Sequence, residues 1–199
     1  MEDKLRIDLA CGQTKKKGWF GIDIADVSGV DLVHDLTKYP WPVEDETADE
    51  VHCSHYIEHI PHDNWEDILK DCNSFEEFKV KALEPKKDGL IKFMDELYRI
   101  MKPGAKATIT APHYMNVRAY GDPTHRRYIG DLSFPYFNKE WLTVNGLDHY
   151  GITADFDIRF SYYIDNEMTL KSEETRSKAF RNDWNAITDI IIELEKRVV

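Results

Sequence analysis

Within the first 60 residues, four short apolar runs each end on side chains that carry charge or protons, and that order leaves few folds open. Residues 5–10 (LRIDLA) close on Cys11-Gly12, and residues 19–24 (WFGIDI) end around Asp23. Residues 30–33 lead into His34-Asp35-Leu36, and residues 51–54 (VHCS) lead into His55-Tyr56-Ile57-Glu58-His59. Short runs bounded by Gly, Asp or Ser read as strands. Residues 45–50 read as an acidic helical turn or loop ahead of the fourth. Residues 88–101 (DGLIKFMDELYRIM) place apolar side chains at 90, 91, 94, 97, 98 and 101, a helical period stopped by Lys102-Pro103-Gly104. Residues 107–111 (ATITA) form a fifth strand, and 156–164 (FDIRFSYYI) a late strand at or near the sheet end.

Strands interrupted by a helix in this order predict an α/β, Rossmann-like fold with a mostly parallel central sheet and flanking helices. The connection over 13–18 is shorter than the dozen or so residues a crossover helix takes, so a loop is expected there. Residues 62–87 are polar with helical periodicity (Trp65, Ile68, Leu69; Phe75, Phe78, Leu83) and read as a helical flap insertion. Over 171–199, Ala179, Phe180, Trp184, Ile187, Ile190, Ile191, Leu194 and Val198 fall at three- and four-residue steps, which predicts a C-terminal helix. Its stripe either packs on its own sheet or forms a homodimer seam. A length of 199 residues with 42% hydrophobic content suits one domain over 1–199.

Charge narrows the partners. With 26 Lys+Arg against 37 Asp+Glu the net charge is −11, which repels a phosphate backbone and argues against sequence-blind nucleic-acid binding. Basic and acidic side chains balance over 171–199, so the excess lies on the body. No apolar run reaches membrane-spanning length, and the first strand begins too early to leave room for a signal peptide. Cys11, Cys53 and Cys72 match no metal spacing and read as reduced thiols of a cytoplasmic protein.

The strand ends form a constellation. Gly12 supplies a residue without Cβ where a ligand's charged tail can lie against backbone N–H groups. Asp23, 15 residues after Asp8, can accept both hydroxyl protons of a ribose. Asp35 can accept from an adenine amino group while Leu36 covers the ring. DLACG (8–12), GIDI (21–24), VHDL (33–36), SHYIEHI (54–60) and DELYRIMKPGA (95–105) together resemble the class I S-adenosylmethionine-dependent methyltransferases, over roughly residues 4–135. The resemblance implies S-adenosyl-L-methionine as cofactor. Asp8, Ala10, Cys11 and Gly12 would line its methionine end, and Asp23 would hold the ribose. Ile24 would pack on the adenine, Asp35 and Leu36 would meet its outer edge, and Ser54 and His55 would border the sulfonium. Two departures stand out: Gly12 alone remains of a loop that often carries two or three glycines, and the first helix is nearly absent. A dinucleotide enzyme would need G-x-G-x-x-G opening a helix, which Gly12-Gln13-Thr14-Lys15 does not supply.

After the fifth strand, Pro112-His113-Tyr114 and Asp122-Pro123-Thr124-His125-Arg126-Arg127 resemble the substrate side of the same group. His113 and His125 are candidate general bases, with Asp122 orienting one of them. Tyr114, Arg126 and Arg127 are candidate acceptor contacts, guanidinium being suited to phosphate or carboxylate. The plainer alternative makes Asp122-Pro123-Thr124 a turn and ties His125 to a main-chain carbonyl. His55 and His59 stand one helical turn apart with His62 nearby, but the zinc-protease order H-E-x-x-H is not met and spacing offers no third ligand, so no metal site is expected. Lys15-Lys16-Lys17 reads as a solvated loop or as an attractor of anionic substrate. The activity expected is methyl transfer to a small, anionic acceptor: a metabolite, nucleotide or sugar. The rivals are a cofactor-binding regulatory module without turnover and a nucleic-acid base methyltransferase. Ser54-His55-Tyr56-Ile57 lacks the two prolines common in the latter.

Overall fold

The computed structural model describes residues 4–62, 65–70, 72–84 and 88–198. Five strands, β1 (Arg6–Leu9), β2 (Phe20–Asp23), β3 (Leu32–Val33), β4 (Ala48–Ser54) and β5 (Met101–Pro112), run parallel. β6 (Phe156–Tyr163) and β7 (Asp189–Lys196) complete the sheet, β7 antiparallel to both β5 and β6. The order is β3-β2-β1-β4-β5-β7-β6, so β6 takes the edge. Around the sheet lie α1 (Trp65–Lys70), α2 (Phe75–Lys81), α3 (Gly89–Ile100), α4 (Arg118–Gly121), α5 (Lys139–Val144), α6 (Asn166–Thr169) and α7 (Glu173–Asn182).

α3 shows why the pattern succeeds. Asp88 caps it by accepting from the N–H groups of Leu90 and Ile91, and Leu90, Phe93, Met94, Leu97 and Ile100 form its buried face. Each such side chain contributes about 1.5–3 kcal/mol on burial. Phe93 packs edge-on against Trp41, with ring centroids 5.3 Å apart. The 13–18 connection holds no helix, as its length requires.

Three expectations change. Residues 48–50 belong to β4 rather than to an acidic turn. The single C-terminal helix over 171–199 is instead a ten-residue helix, α7, followed by β7. Ile190, Ile191 and Ile192 are β-branched and favour a pleated strand, and Ile190, Ile192 and Leu194 are buried at every second position. Asn185 breaks the chain between them with a φ of 63°. Of the expected dimer seam, Ile190, Ile191 and Leu194 therefore lie in β7, Ala179 and Phe180 lie on α7, and Trp184 and Val198 are exposed, so no single helical stripe joins them. The third change concerns the 62–87 flap, where α1 and α2 are separate short helices and residues 63, 64, 71 and 85–87 lie outside the described residues.

Strand order reverses between β1 and β4, with β2 and β3 to one side and β5 to the other. In open α/β sheets, ligands bind in the crevice at the carboxyl ends of the strands flanking that reversal.

Candidate functional site

At the reversal the β1–β2 tips are tied together. Ala10 and Gly12 both have φ of 51°, a left-handed turn in which Gly12 is at ease and Ala10 is not. The Gly12 N–H donates to Asp23 Oδ2 at 2.8 Å, and the Ala25 N–H donates to Asp23 Oδ1 at 2.8 Å. Each oxygen keeps a lone pair. Ile24, beside Asp23, stands 67% exposed. A side-chain carbon added at Gly12 would meet nothing within 4 Å, so the space beside the turn is open.

Asp8 serves differently from its expected part in lining a ligand. It pairs in register with His52 on β4, whose Nδ1 lies 2.7 Å from Asp8 Oδ1, while the Lys16 N–H donates to Oδ2 at 2.8 Å. The buried carboxylate staples the 13–18 loop to the sheet. His52 escaped sequence reading because nothing local marks a cross-strand partner. Cys11 is buried, and burial with the nearby Asp8 and Asp23 raises its thiol pKa. Asp35 Oδ1 accepts from the Thr37 N–H and Oγ1, its only hydrogen bonds among the described residues. Leu36 does not cover the rim. Its side chain lies in the core, and its carbonyl accepts from Trp41 Nε1 at 3.0 Å. Ser54 is half-buried at the β4 tip, and His55 follows with φ of 54°, its pKa raised by the Glu58 carboxylate. Lys15 is paired with Asp31 at 2.6 Å, and Lys16 lies over the Trp19 ring, so two of the three lysines are committed to loop structure.

The β5 side divides into two clusters. His113 is buried and lines a hollow of about 540 Å3 with Tyr114, Asp131, Tyr162, Phe180 and Arg176. Burial lowers the His113 pKa. The Met115 N–H donates to its Nδ1 at 3.4 Å, which leaves the imidazole proton on Nε2. His113 is thus set up as a neutral donor through Nε2, rather than as a base there. Arg176, Arg181 and Tyr162 of this hollow fall in segments where the sequence offers only strand and helix periodicity.

His125 lies elsewhere, its ring edge-on to His59 at 4.7 Å between centroids. Its Nδ1 donates to the Ala119 carbonyl at 2.9 Å, the plainer alternative above. The Asp122 carboxylate makes no hydrogen bond to the His125 ring among the described residues; the two residues are hydrogen-bonded only through the main chain, where the His125 N–H donates to the Asp122 carbonyl at 3.2 Å. The carboxylate accepts from the Thr124 N–H and hydroxyl, whose interaction lowers its pKa, and Thr124 Oγ1 in turn meets His59 Nδ1 at 3.1 Å. Arg127 is buried and donates to the carbonyls of Ile60 and Pro61 and to Asp88, so it is a structural strap unavailable to an acceptor. Arg126 is exposed, and its side chain makes no hydrogen bond among the described residues.

No protein-family model matches the chain, and no curated protein does. Solved structures do. A SAM-dependent methyltransferase from Archaeoglobus fulgidus superposes with a TM-score of 0.59 at 18% identity, over 97% of this chain and 86% of that one. The chain has the class I methyltransferase fold. The YcgJ protein of Bacillus subtilis shares this fold at a TM-score of 0.51 and 12% identity, over 98% and 93% of the two chains. So does phosphoethanolamine N-methyltransferase 2 of Haemonchus contortus, solved with phosphomonomethylethanolamine and S-adenosylhomocysteine, with a TM-score of 0.52 at 14% identity over 100% of this chain and 50% of that one. In the class I methyltransferase fold of this chain, the Asp23–Gly12 bridge sits at the strand-order reversal. Among the described residues no helix is long and apolar enough to cross a membrane.

Proposed function

We propose that the protein transfers a methyl group from S-adenosyl-L-methionine to a small anionic acceptor. The observation that carries this reading is the Asp23 carboxylate at the β2 tip, bonded to Gly12 N–H yet with a lone pair left on each oxygen. Two adjacent ribose hydroxyls need that pair of acceptors. Exposed Ile24 supplies an apolar face for the adenine, and the free Asp35 oxygen an acceptor for its amino group. The open space beside Gly12 accommodates the methionine end. When bound, the cofactor supplies an activated methyl on a sulfonium.

The acceptor belongs in the hollow lined by His113 and Tyr114, whose volume of about 540 Å3 falls in the usual range for small-molecule sites. His113, kept neutral by burial, donates from Nε2 and aligns the acceptor, and Arg176 supplies a cation for a phosphate or carboxylate. Incubating the protein with methyl-labelled cofactor and a panel of phosphorylated and carboxylated metabolites tests this. Label transfer is expected to at least one of them. His113→Ala is expected to raise the acceptor KM about tenfold or more, with S-adenosylhomocysteine affinity unchanged. Cofactor binding with no transfer to any acceptor would favour the regulatory module instead.

A further inference from the structure

Glu58 is the anomaly of the molecule. It is 1% exposed, and neither carboxylate oxygen has a hydrogen-bond partner among the described residues. His55, three residues before it, brings Nδ1 to 3.4 Å from Oε1 as an ion pair without hydrogen-bond geometry. A buried carboxylate without hydrogen bonds costs several kcal/mol unless charge meets it, and the exposed His55 ring meets only one of the two oxygens. Among the described residues no Lys or Arg pairs with it: Arg127, the nearby buried cation, is committed to Ile60, Pro61 and Asp88.

What faces Glu58 is a pair of imidazoles. One donor atom each from Glu58, His59 and His125 lies within 4.8 Å of the other two. Their tautomers follow from the surrounding bonds. His125 Nδ1 donates to the Ala119 carbonyl, so Nε2 carries a lone pair. The Thr124 hydroxyl gives its proton to Asp122 at 2.6 Å, so Thr124 Oγ1 must accept from His59 Nδ1, and His59 Nε2 is bare too. Metal-bound histidines are held in this way, the second ring nitrogen donating to a carbonyl or to a carboxylate-backed group. The backbone fixes the arrangement: the Arg126 and Arg127 N–H groups both donate to the Glu58 carbonyl, at 2.7 and 3.0 Å, clamping the His125 loop against the Glu58 turn.

We propose that Glu58, His59 and His125 bind a divalent transition-metal ion, Glu58 through a carboxylate oxygen and each histidine through Nε2. Small side-chain rotations close a triangle of this size to metal–ligand distances of about 2.0–2.2 Å. Two imidazoles and one carboxylate suit Zn2+, Fe2+ or Co2+ better than Mg2+ or Ca2+, which favour all-oxygen sites. Three protein ligands leave a coordination position open. The cluster follows β4 and β5 but is separate from the hollow lined by His113, and its open position is available to an anionic oxygen. The ion site itself rests on the Glu58 cluster and not on the methyl-transfer reading. Spacing alone hid it, because the third ligand arrives from a loop 66 residues further along the chain than His59.

The test is titration of the untagged, chelator-treated full chain with Co2+, followed by its visible absorption and by competition with Zn2+. One ion per chain is expected, with d–d bands of an imidazole–carboxylate site. Glu58→Gln and His59→Ala should each weaken binding at least tenfold. Glu58→Gln should also raise the melting temperature of the metal-free chain, since it removes a buried charge that no hydrogen bond satisfies; this readout shows that the variant folds. Unchanged Co2+ affinity in both variants, or no Co2+ binding up to millimolar concentration, overturns the proposal.

Discussion

The two halves of the ligand rim are finished to different degrees. On the β1–β3 side the acids are held by the fold: Asp8 by Lys16 N–H and His52, Asp23 by Gly12 and Ala25, Asp31 by Gly21 N–H and Lys15, Asp35 by Thr37. On the β4–β7 side, Glu58 keeps both oxygens and Asp189 keeps Oδ1 buried without a hydrogen bond, and His113 is buried with its pKa lowered. The acids of the first half are held by hydrogen bonds of the fold itself, which lowers the ordering cost of binding. The second half carries desolvated polar groups that a ligand, ion or acceptor would satisfy. Under the proposed function this contrast is what a reaction with one fixed and one selected partner calls for.

Four substitutions probe that contrast. The largest effect is expected for Gly12→Val, which puts a β-branched residue at a φ of 51° and fills the open space beside the turn. S-adenosylhomocysteine binding should drop below detection in calorimetry. Next comes Asp8→Ala, which strands the Lys16 N–H and His52. It should cost about 3 kcal/mol or more of stability by urea unfolding, because two hydrogen bonds to a charged group are lost, at about 1.5–3 kcal/mol each. Asp23→Ala should do the reverse, lowering cofactor affinity about tenfold to a hundredfold while stability changes by about 1 kcal/mol or less, because the Gly12 and Ala25 N–H groups at this more exposed tip can pass to water, whereas Asp8 is buried. If Asp8→Ala and Asp23→Ala behave alike, the division between anchor and ligand contact is wrong.

The smallest effect concerns pH. Burial lowers the folded-state pKa of His113 below the ordinary imidazole value of about 6.5, while Asp131 opposes the shift and Tyr114 and Tyr162 border the ring. The unfolded chain therefore takes up the proton first as pH falls. The stability that neutral His113 contributes is present above about pH 6.5 and is lost as pH drops through the folded value. Urea midpoints measured from about pH 7 to 5 should fall less steeply in His113→Asn than in the parent. An identical slope would show that His113 is not a buried neutral imidazole.

Much of the first rim can be read from residues 8–36, because strand-end positions follow from short apolar runs and the parallel order places those ends together. Register cannot be read that way. The Asp8–His52 partnership depends on which residues of β1 and β4 lie side by side, and a one-residue slip would have separated them. Leu36 and Arg127 were misplaced for a related reason. A Leu beside an acid and an Arg beside a His look like ligand contacts locally, whereas the hydrophobic core and the Ile60–Pro61 carbonyls claim them in the fold. Residues 189–196 satisfy helical and strand periods at once, and only the run of three isoleucines favours the strand that forms.

The most direct test is a calorimetric titration of the parent chain and Asp23→Ala with S-adenosylhomocysteine. Saturation at one ligand per chain, with weaker binding in the variant, is the outcome required if the β2-tip carboxylate grips the sugar. Absence of any heat of binding, or the same dissociation constant in both proteins, would contradict it.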